Sequence, residues 1–325
     1  MSKINARQAA AASHADGHAI VLAGPGTGKT STLVARHSWL RSRGVGAEAI
    51  CVLTFTQKAA EELRERLGAH APQSAWIGTF HGVCLRLLKR FSAEAGLRKS
   101  FRVVDPSAQR ELLLAAGVVW DSDDGDLTDI IGRWKDSMTT PDEADAAAAR
   151  SGNSVLRAAA AHYGTYEAEL ARAGDLDFAD LVTKALSAVR LSPEVGKFVA
   201  DRLPHVLVDE FQDVNRSQVE FLQAMAGCGS SVWAVADDDQ ALYGWRGGDV
   251  RYTVDFPRHF PGAARYTLET NYRCDPAVVA AANALISRNA RRVPKSLKPA
   301  RPHRNGTSVR VRSFATEREE AEWIA

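Results

Sequence analysis

Apolar and polar positions alternate in two rhythms along this chain of 325 residues. Short, almost uninterrupted apolar runs read as buried strands at 19–24 (AIVLAG), 49–55 (AICVLTF), 205–210 (HVLVDE), 231–237 (SVWAVAD) and 264–269 (ARYTLE). Helical spacing follows most of them. At 58–67, for example, Thr56 stands as N-cap and Gly68 as the stop. Strands without a polar face, alternating with helices, predict a parallel sheet covered on both sides. From about 85 to 195 the strand signal disappears. That segment, rich in Ala, Leu and Arg (ELLLAAGVVW, SVLRAAAAHYGTYEAELARAG), reads as a helical insertion, its alanine runs as helix formers rather than linkers. No internal repeat is visible.

Length favours two or more domains, since one hydrophobic core rarely keeps growing this far. Hydrophobic residues at 45% and charged residues at 25% are values of an ordinary globular protein, not a disordered one. No apolar run is long enough for a membrane span, and the N-terminal residues do not form a secretory signal. Cys51, Cys84, Cys228 and Cys274 are dispersed without a CxxC pair. This spacing argues against zinc and a disulfide framework, and a cytoplasmic location is expected. The net charge of +2 says little beside its distribution. From 276 to 316 there is no acid, while Arg288, Arg291, Arg292, Lys295, Lys298, Arg301, Arg304, Arg310 and Arg312 are basic. Such a stretch is either a solvated face or a polyanion contact.

Two stretches carry chemistry. AGPGTGKT follows the GxxxxGK[ST] pattern with Ala23 at its first position, after an apolar strand and before a good helix (STLVARHSWL). Gly24, Pro25, Gly26, Thr27 and Gly28 can turn backbone N–H groups around phosphate oxygens at a helix N-terminus. Lys29 then reaches the β- and γ-phosphates, and the Thr30 hydroxyl serves Mg²⁺. In HVLVDEFQD, Val206, Leu207 and Val208 bury a central strand, so Asp209 and Glu210 emerge at its carboxyl end, where open α/β sheets place their sites. Asp209 is the expected Mg²⁺ carboxylate, directly or through water. Glu210 is placed to orient and deprotonate an attacking water. Hydrolysis of a nucleoside triphosphate is the chemistry implied.

With these in place, the remaining motifs resemble superfamily 1 helicases of the UvrD/PcrA/Rep group, in family order and over nearly the whole chain. INARQAAA resembles the N-terminal glutamine motif, LTFTQKAAEELRERL motif Ia, and GTFHGVCLRLLKRF motif Ib. DLDFADLV resembles the element closing the helical insert, VDEFQD motif II, ADDDQALYGWRGGD motif III, and LETNYRC motif IV. The resemblance implies that Gln8 recognises adenine, that Tyr272 stacks on it, and that Ser31 lines the nucleotide pocket. It implies that Gln240 reaches the γ-phosphate, and that Arg273 does so from the second motor domain, as an arginine finger does. It also implies that Trp245 stacks on a base with Arg246 and Tyr243 beside it, and that Lys58, Thr79 and His81 contact the strand. Phe55 either stacks on a base or caps the core. Stacking needs a flat exposed ring, and an adjacent cation favours phosphate. Ser31 stands where close relatives often carry an Arg over the adenine, which implies looser base selectivity; Ala241 replaces a common Ser.

The implied fold is α/β: a P-loop NTPase with a RecA-like doubly wound parallel sheet, a helical insertion domain and the start of a second RecA-like domain. The first motor domain is expected at 1–84 and 195–270, the insertion at 85–194, and the incomplete second domain at 271–325. The implied function is ATP- and Mg²⁺-dependent 3′–5′ translocation on single-stranded DNA and DNA junctions, in repair or replication. The chain stops at EREEAEWIA, which reads as a helix of an unfinished domain. A fragment is therefore expected to turn ATP over weakly at best, and an ATP-gated DNA-binding module is the alternative. A recombinase-type ATPase fits the motif wording less well.

Overall fold

The computed structural model describes residues 4–70, 72–118, 126–289, 292–302 and 309–325, without the side chains of Ala69 and Arg246. Helix α1 (Ala6–Ala12) leads into β1 (Ala19–Ala23), α2 (Lys29–Ser42), β2 (Ile50–Thr54), α3 (Gln57–Leu67), β3 (Trp76–Thr79) and α4 (Phe80–Arg90). A run of helices follows: α5 (Pro106–Ala115), α6 (Leu127–Asp136), α7 (Pro141–Ser151), α8 (Ser154–Ala173), α9 (Phe178–Leu191) and α10 (Pro193–Arg202). The chain then returns through β4 (His205–Val208), α11 (Arg216–Gly227), β5 (Ser231–Ala236), the single turns α12 (Arg251–Val254) and α13 (Phe256–His259), and β6 (Ala264–Leu268). Beyond β6 lie β7 (Thr270–Asn271), α14 (Pro276–Ile286), β8 (Lys298–Pro299) and α15 (Glu317–Ile324).

Six strands form one sheet in the order β3-β2-β4-β5-β1-β6, every pair parallel. Strand pleating sends alternate side chains to opposite faces. Ile20, Leu22, Leu53, Val206 and Val208 join one apolar layer with α4, α9, α10 and α11. Ala19, Val21, Val52, Leu207 and Trp233 join another with α2 and α3. This is the covered parallel sheet that the apolar runs predict, and all five of those runs are strands. The sixth, β3, gives no sequence signal: WIGT is four residues long, holds a glycine and sits at the sheet edge. The helix predicted at 58–67 begins one residue earlier, with the Thr56 side chain accepting from Ala59 N and Gly68 at the C-cap.

Within the helical run, α4 and α9 belong to the apolar layer under the sheet. Leu113, Ile131, Tyr163, Tyr166 and Leu170 of α5, α6 and α8 instead make a separate core. Between the two lies a buried cation. Lys135 of α6 meets Glu167 of α8 and Asp177 and Asp180 at the start of α9, each at 2.7 Å. The Tyr166 hydroxyl also donates to Asp177, at 2.9 Å.

The basic stretch after 276 divides. Arg288, Lys298, Arg301, Arg310 and Arg312 are exposed, whereas Lys295 is buried and Arg292 half-buried. Arg291 and Arg304 lie outside the described residues.

Candidate nucleotide and nucleic-acid site

The phosphate cradle runs from the buried end of β1 at Ala23 through Gly24 and Pro25 to Gly28, the N-cap of α2. Gly26 and Gly28 hold φ of +69° and +87°, a region that side-chain-bearing residues rarely enter. Neighbours also crowd these glycines. A Cβ on Gly26 would meet Arg273 Cβ at 2.7 Å, and one on Gly28 would meet Gln8 Nε2 at 2.5 Å. Thr27 is buried, its hydroxyl donating to Gly24 O at 2.7 Å. Lys29, Thr30 and Ser31 form the first turn of α2, half-buried. The positive-φ glycines thus set the turn of the loop, with helix N–H groups at its mouth.

Acids gather opposite at strand ends. Asp209 follows β4 and is nearly buried; burial first, then the charge of Glu210, raises its pKa to about 7. The same two causes raise Asp213 to about 6. Glu210 adopts φ +50°, unusual for a non-glycine residue. Its Oε2 lies 3.8 Å from Lys29 Nζ and accepts from Gln212 Nε2 at 2.9 Å. Gln212 Oε1 in turn accepts from Asp237 N at 2.9 Å, joining the ends of β4 and β5. Asp237 is fully buried, with Oδ2 at 3.7 Å from Lys29 Nζ and at 2.5 Å from Gln240 Nε2. Burial raises the Asp237 pKa against the pull of Lys29 and Lys295. A lysine at the end of a glycine cradle, facing the carboxylates of Glu210 and Asp237, suits a polyphosphate carrying a divalent cation.

The segment after β6 covers this cradle. Asn271 Nδ2 donates to Pro25 O at 2.8 Å, and Tyr272 N to Gly26 O at 2.9 Å. Arg273 is anchored through its backbone N–H to Asn271 Oδ1 at 2.9 Å, and its side chain is exposed. The Tyr272 hydroxyl accepts from Asn5 Nδ2 at 2.7 Å. Gln8 is buried, and both ends of its amide are engaged: Nε2 donates to Thr27 O at 2.9 Å, and Oε1 accepts from Asn5 N at 2.8 Å. Each end of the amide keeps one further hydrogen-bonding position, a second N–H on Nε2 and a second lone pair on Oε1.

The expected strand contacts are only partly brought together. Phe55, His81, Tyr243 and Trp245 line one groove of about 480 Å³ between the sheet's carboxyl edge and α6. Trp245 is 65% exposed and Tyr243 42%, their rings 6.3 Å apart. Phe55 packs edge-on against Phe80 at 5.9 Å and also lines the groove. His81 packs edge-on against Phe178, and burial lowers its pKa against the pull of Asp177. Thr79 lies instead in a neighbouring groove of about 440 Å³ beside Arg64 and Arg86. Its hydroxyl accepts from Gly82 N at 3.1 Å as the cap of α4. Lys58 is exposed on the first turn of α3. The backbone of Arg246 closes a short 3₁₀ turn with Gly244 and Trp245; its side chain lies outside the described residues.

Sequence reasoning passed over Asp237, Gln212, Asn271, Lys295 and the exposed Phe178. The strand-end logic that marks Asp209 applies equally to Asp237 and could have found it. Nothing in the local sequence marks Lys295.

A parallel sheet with a glycine cradle after β1 and an acid after β4 defines a RecA-like P-loop NTPase fold. The family model described as the UvrD/REP helicase N-terminal domain matches residues 4–261, and that of the UvrD-like helicase C-terminal domain matches 266–325. The chain belongs to the UvrD/REP helicase family. It is 31% identical over 333 residues to the ATP-dependent DNA helicase PcrA of Staphylococcus aureus, with all of this chain and 45% of that protein covered. To the protein of the same name from Staphylococcus epidermidis it is 30% identical over 336 residues, again across 45% of the relative. The chain thus spans about half the length of these relatives. No helix among the described residues is long and apolar enough to cross a membrane.

Proposed function

We propose that the chain is the ATP-binding front part of a DNA helicase that couples nucleotide hydrolysis to movement on single-stranded DNA. Lys29 would leave Glu210 and Asp237 for the β- and γ-phosphates. Thr30 and Asp209 would hold Mg²⁺, which neutralises phosphate charge when bound. Freed of Lys29, Glu210 would orient and deprotonate water, Gln240 would face the γ-phosphate, and Arg273 would swing its exposed guanidinium toward it. Tyr272 and Gln8 would flank the adenine. Phe55, His81, Tyr243 and Trp245, with Lys58, Thr79 and Arg246, would follow the strand. In this reading the motor occupies 1–84 and 195–270 together with α4 and α9, which pack under the sheet, the insertion lies within 85–194, and a second lobe begins at 271. Movement from 3′ to 5′, action at junctions in repair or replication, and a cytoplasmic location rest on likeness to the family alone.

One observation carries the reading. A single loop reaches the nucleotide cradle at Gln240, which shares the Asp237 carboxylate with Lys29, and the aromatic groove at Trp245. Steady-state phosphate release with and without an unstructured oligonucleotide tests it. Stimulation by DNA, lost in Glu210→Gln, is expected. ATP and DNA binding without turnover would favour the nucleotide-gated module, and failure to bind ATP would overturn both.

A further inference from the structure

Asp237 sits between two lysines, one on each carboxylate oxygen. Lys29 Nζ lies 3.7 Å from Oδ2, and Lys295 Nζ lies 3.3 Å from Oδ1. Lys295 also contacts Asp238 Oδ1 at 2.5 Å and Asp239 Oδ2 at 2.7 Å, with its side chain 2% exposed. Arg292 makes a two-pronged bond to Asp239 at 2.8 Å on each arm, and Val293 N donates to Asp238 at 2.6 Å. Three consecutive acids are therefore answered by a segment more than fifty positions along the chain. The acids lie in the part matched by the N-terminal family model, their cations in the part matched by the C-terminal one.

The two lysines are not equivalent. Lys29 is the P-loop lysine, and drawing it onto phosphate removes positive charge from a carboxylate that has no solvent to turn to. A buried charge deprived of its partner is far more costly than an exposed one. Lys295, tied to three acids, stays where it is. We propose that Lys295 is a positioning residue of the nucleotide site: it keeps the Asp237 carboxylate compensated when Lys29 leaves, so that the P-loop lysine can transfer to phosphate and Gln240 keeps its anchor. Nucleotide affinity then depends on a contact between the two matched regions, made by a residue that touches no nucleotide. The inference rests on the reading of Lys29 as the phosphate-binding lysine.

A merely structural staple would behave differently in a double-mutant cycle. The experiment titrates a fluorescent, non-hydrolysable ATP analogue with Mg²⁺ into the full chain and its variants, each checked by thermal melting. Lys295→Met should weaken binding by about tenfold or more, while Lys295→Arg, which keeps the charge, should stay within about threefold. In an Asp237→Asn background the carboxylate through which Lys295 acts is gone, so adding Lys295→Met should cost less than about threefold. Should Lys295→Met fail to fold, pairing it with Asp238→Asn removes the second stranded acid and carries the same comparison. Native-like affinity in Lys295→Met, or an undiminished loss in the Asp237→Asn background, overturns the proposal. If Lys29→Ala binds as well as the native chain, the reading of the P-loop itself fails, and the proposal with it.

Discussion

Lys135 and Lys29 are both largely buried cations set among carboxylates, yet their geometry differs. Lys135 meets three carboxylates, each at 2.7 Å, with its side chain 4% exposed. Burial alone would depress its pKa, but Asp177, Asp180 and Glu167 raise it overall. Lys29 stands 3.8 Å and 3.7 Å from Glu210 and Asp237, and those acids already hold closer bonds with Gln212 and Gln240. The first cation is committed: it ties α6, α8 and α9 together and has no better partner to move to. The second is held loosely at a helix N-terminus, where an incoming anion would meet backbone N–H groups as well. Ion-pair distance, more than burial, separates the cation that staples the fold from the one proposed to bind phosphate.

Breaking each cluster should expose that contrast. Lys135→Met strands Asp177 and Asp180, and urea unfolding should show a loss of about 3–5 kcal/mol, the usual effect of orphaning a buried charge. Lys29→Ala should cost about 1 kcal/mol or less on the same assay, because its contacts are long and Lys295 still compensates Asp237. Equal losses would erase the distinction.

Ligand binding should reverse the order. Lys29→Ala is expected to abolish ATP binding at micromolar concentrations, since it removes the ammonium that faces Glu210 and Asp237 at the mouth of the cradle. Glu210→Gln keeps the shape, so isothermal titration should show binding retained while phosphate release is lost. A glutamine variant that hydrolyses normally would remove Glu210 from its assigned role.

A smaller effect is expected at the other end of the loop. Trp245→Ala should weaken single-stranded DNA binding by about 1–3 kcal/mol with ATP affinity unchanged. The ring is 65% exposed, so its removal leaves no cavity in the core. A melting temperature far below native would show that it packs more than it stacks.

Much of this was legible in the sequence for simple reasons. Strands buried on both faces need uninterrupted apolar runs, which made β1, β2, β4, β5 and β6 readable. A phosphate cradle needs glycines at fixed spacing before a helix, so Gly26, Gly28 and Lys29 could be placed. What escaped depends on partners distant in sequence. Strand β3 exists because β2 offers it an edge, not because WIGT is a strong strand. Lys295 reads as one more cation in a basic stretch until the fold brings Asp237, Asp238 and Asp239 against it. Lys135, in an unremarked WKDS, likewise gains its meaning only from Asp177 and Asp180. The family resemblance implied that Gln8 recognises adenine, but nothing in the sequence showed that its amide bonds Thr27 O and Asn5 N.

The central claim is that one loop joins the nucleotide cradle to the strand groove through Gln240. Anisotropy of a labelled oligonucleotide, with and without a non-hydrolysable ATP analogue, measures that link directly. The native chain should change its DNA affinity when the analogue binds. Gln240→Ala should keep nucleotide-free DNA affinity near native yet lose the change, and by linkage DNA should no longer alter analogue affinity. Full coupling retained in Gln240→Ala would mean that the two sites communicate by another route and would contradict the account.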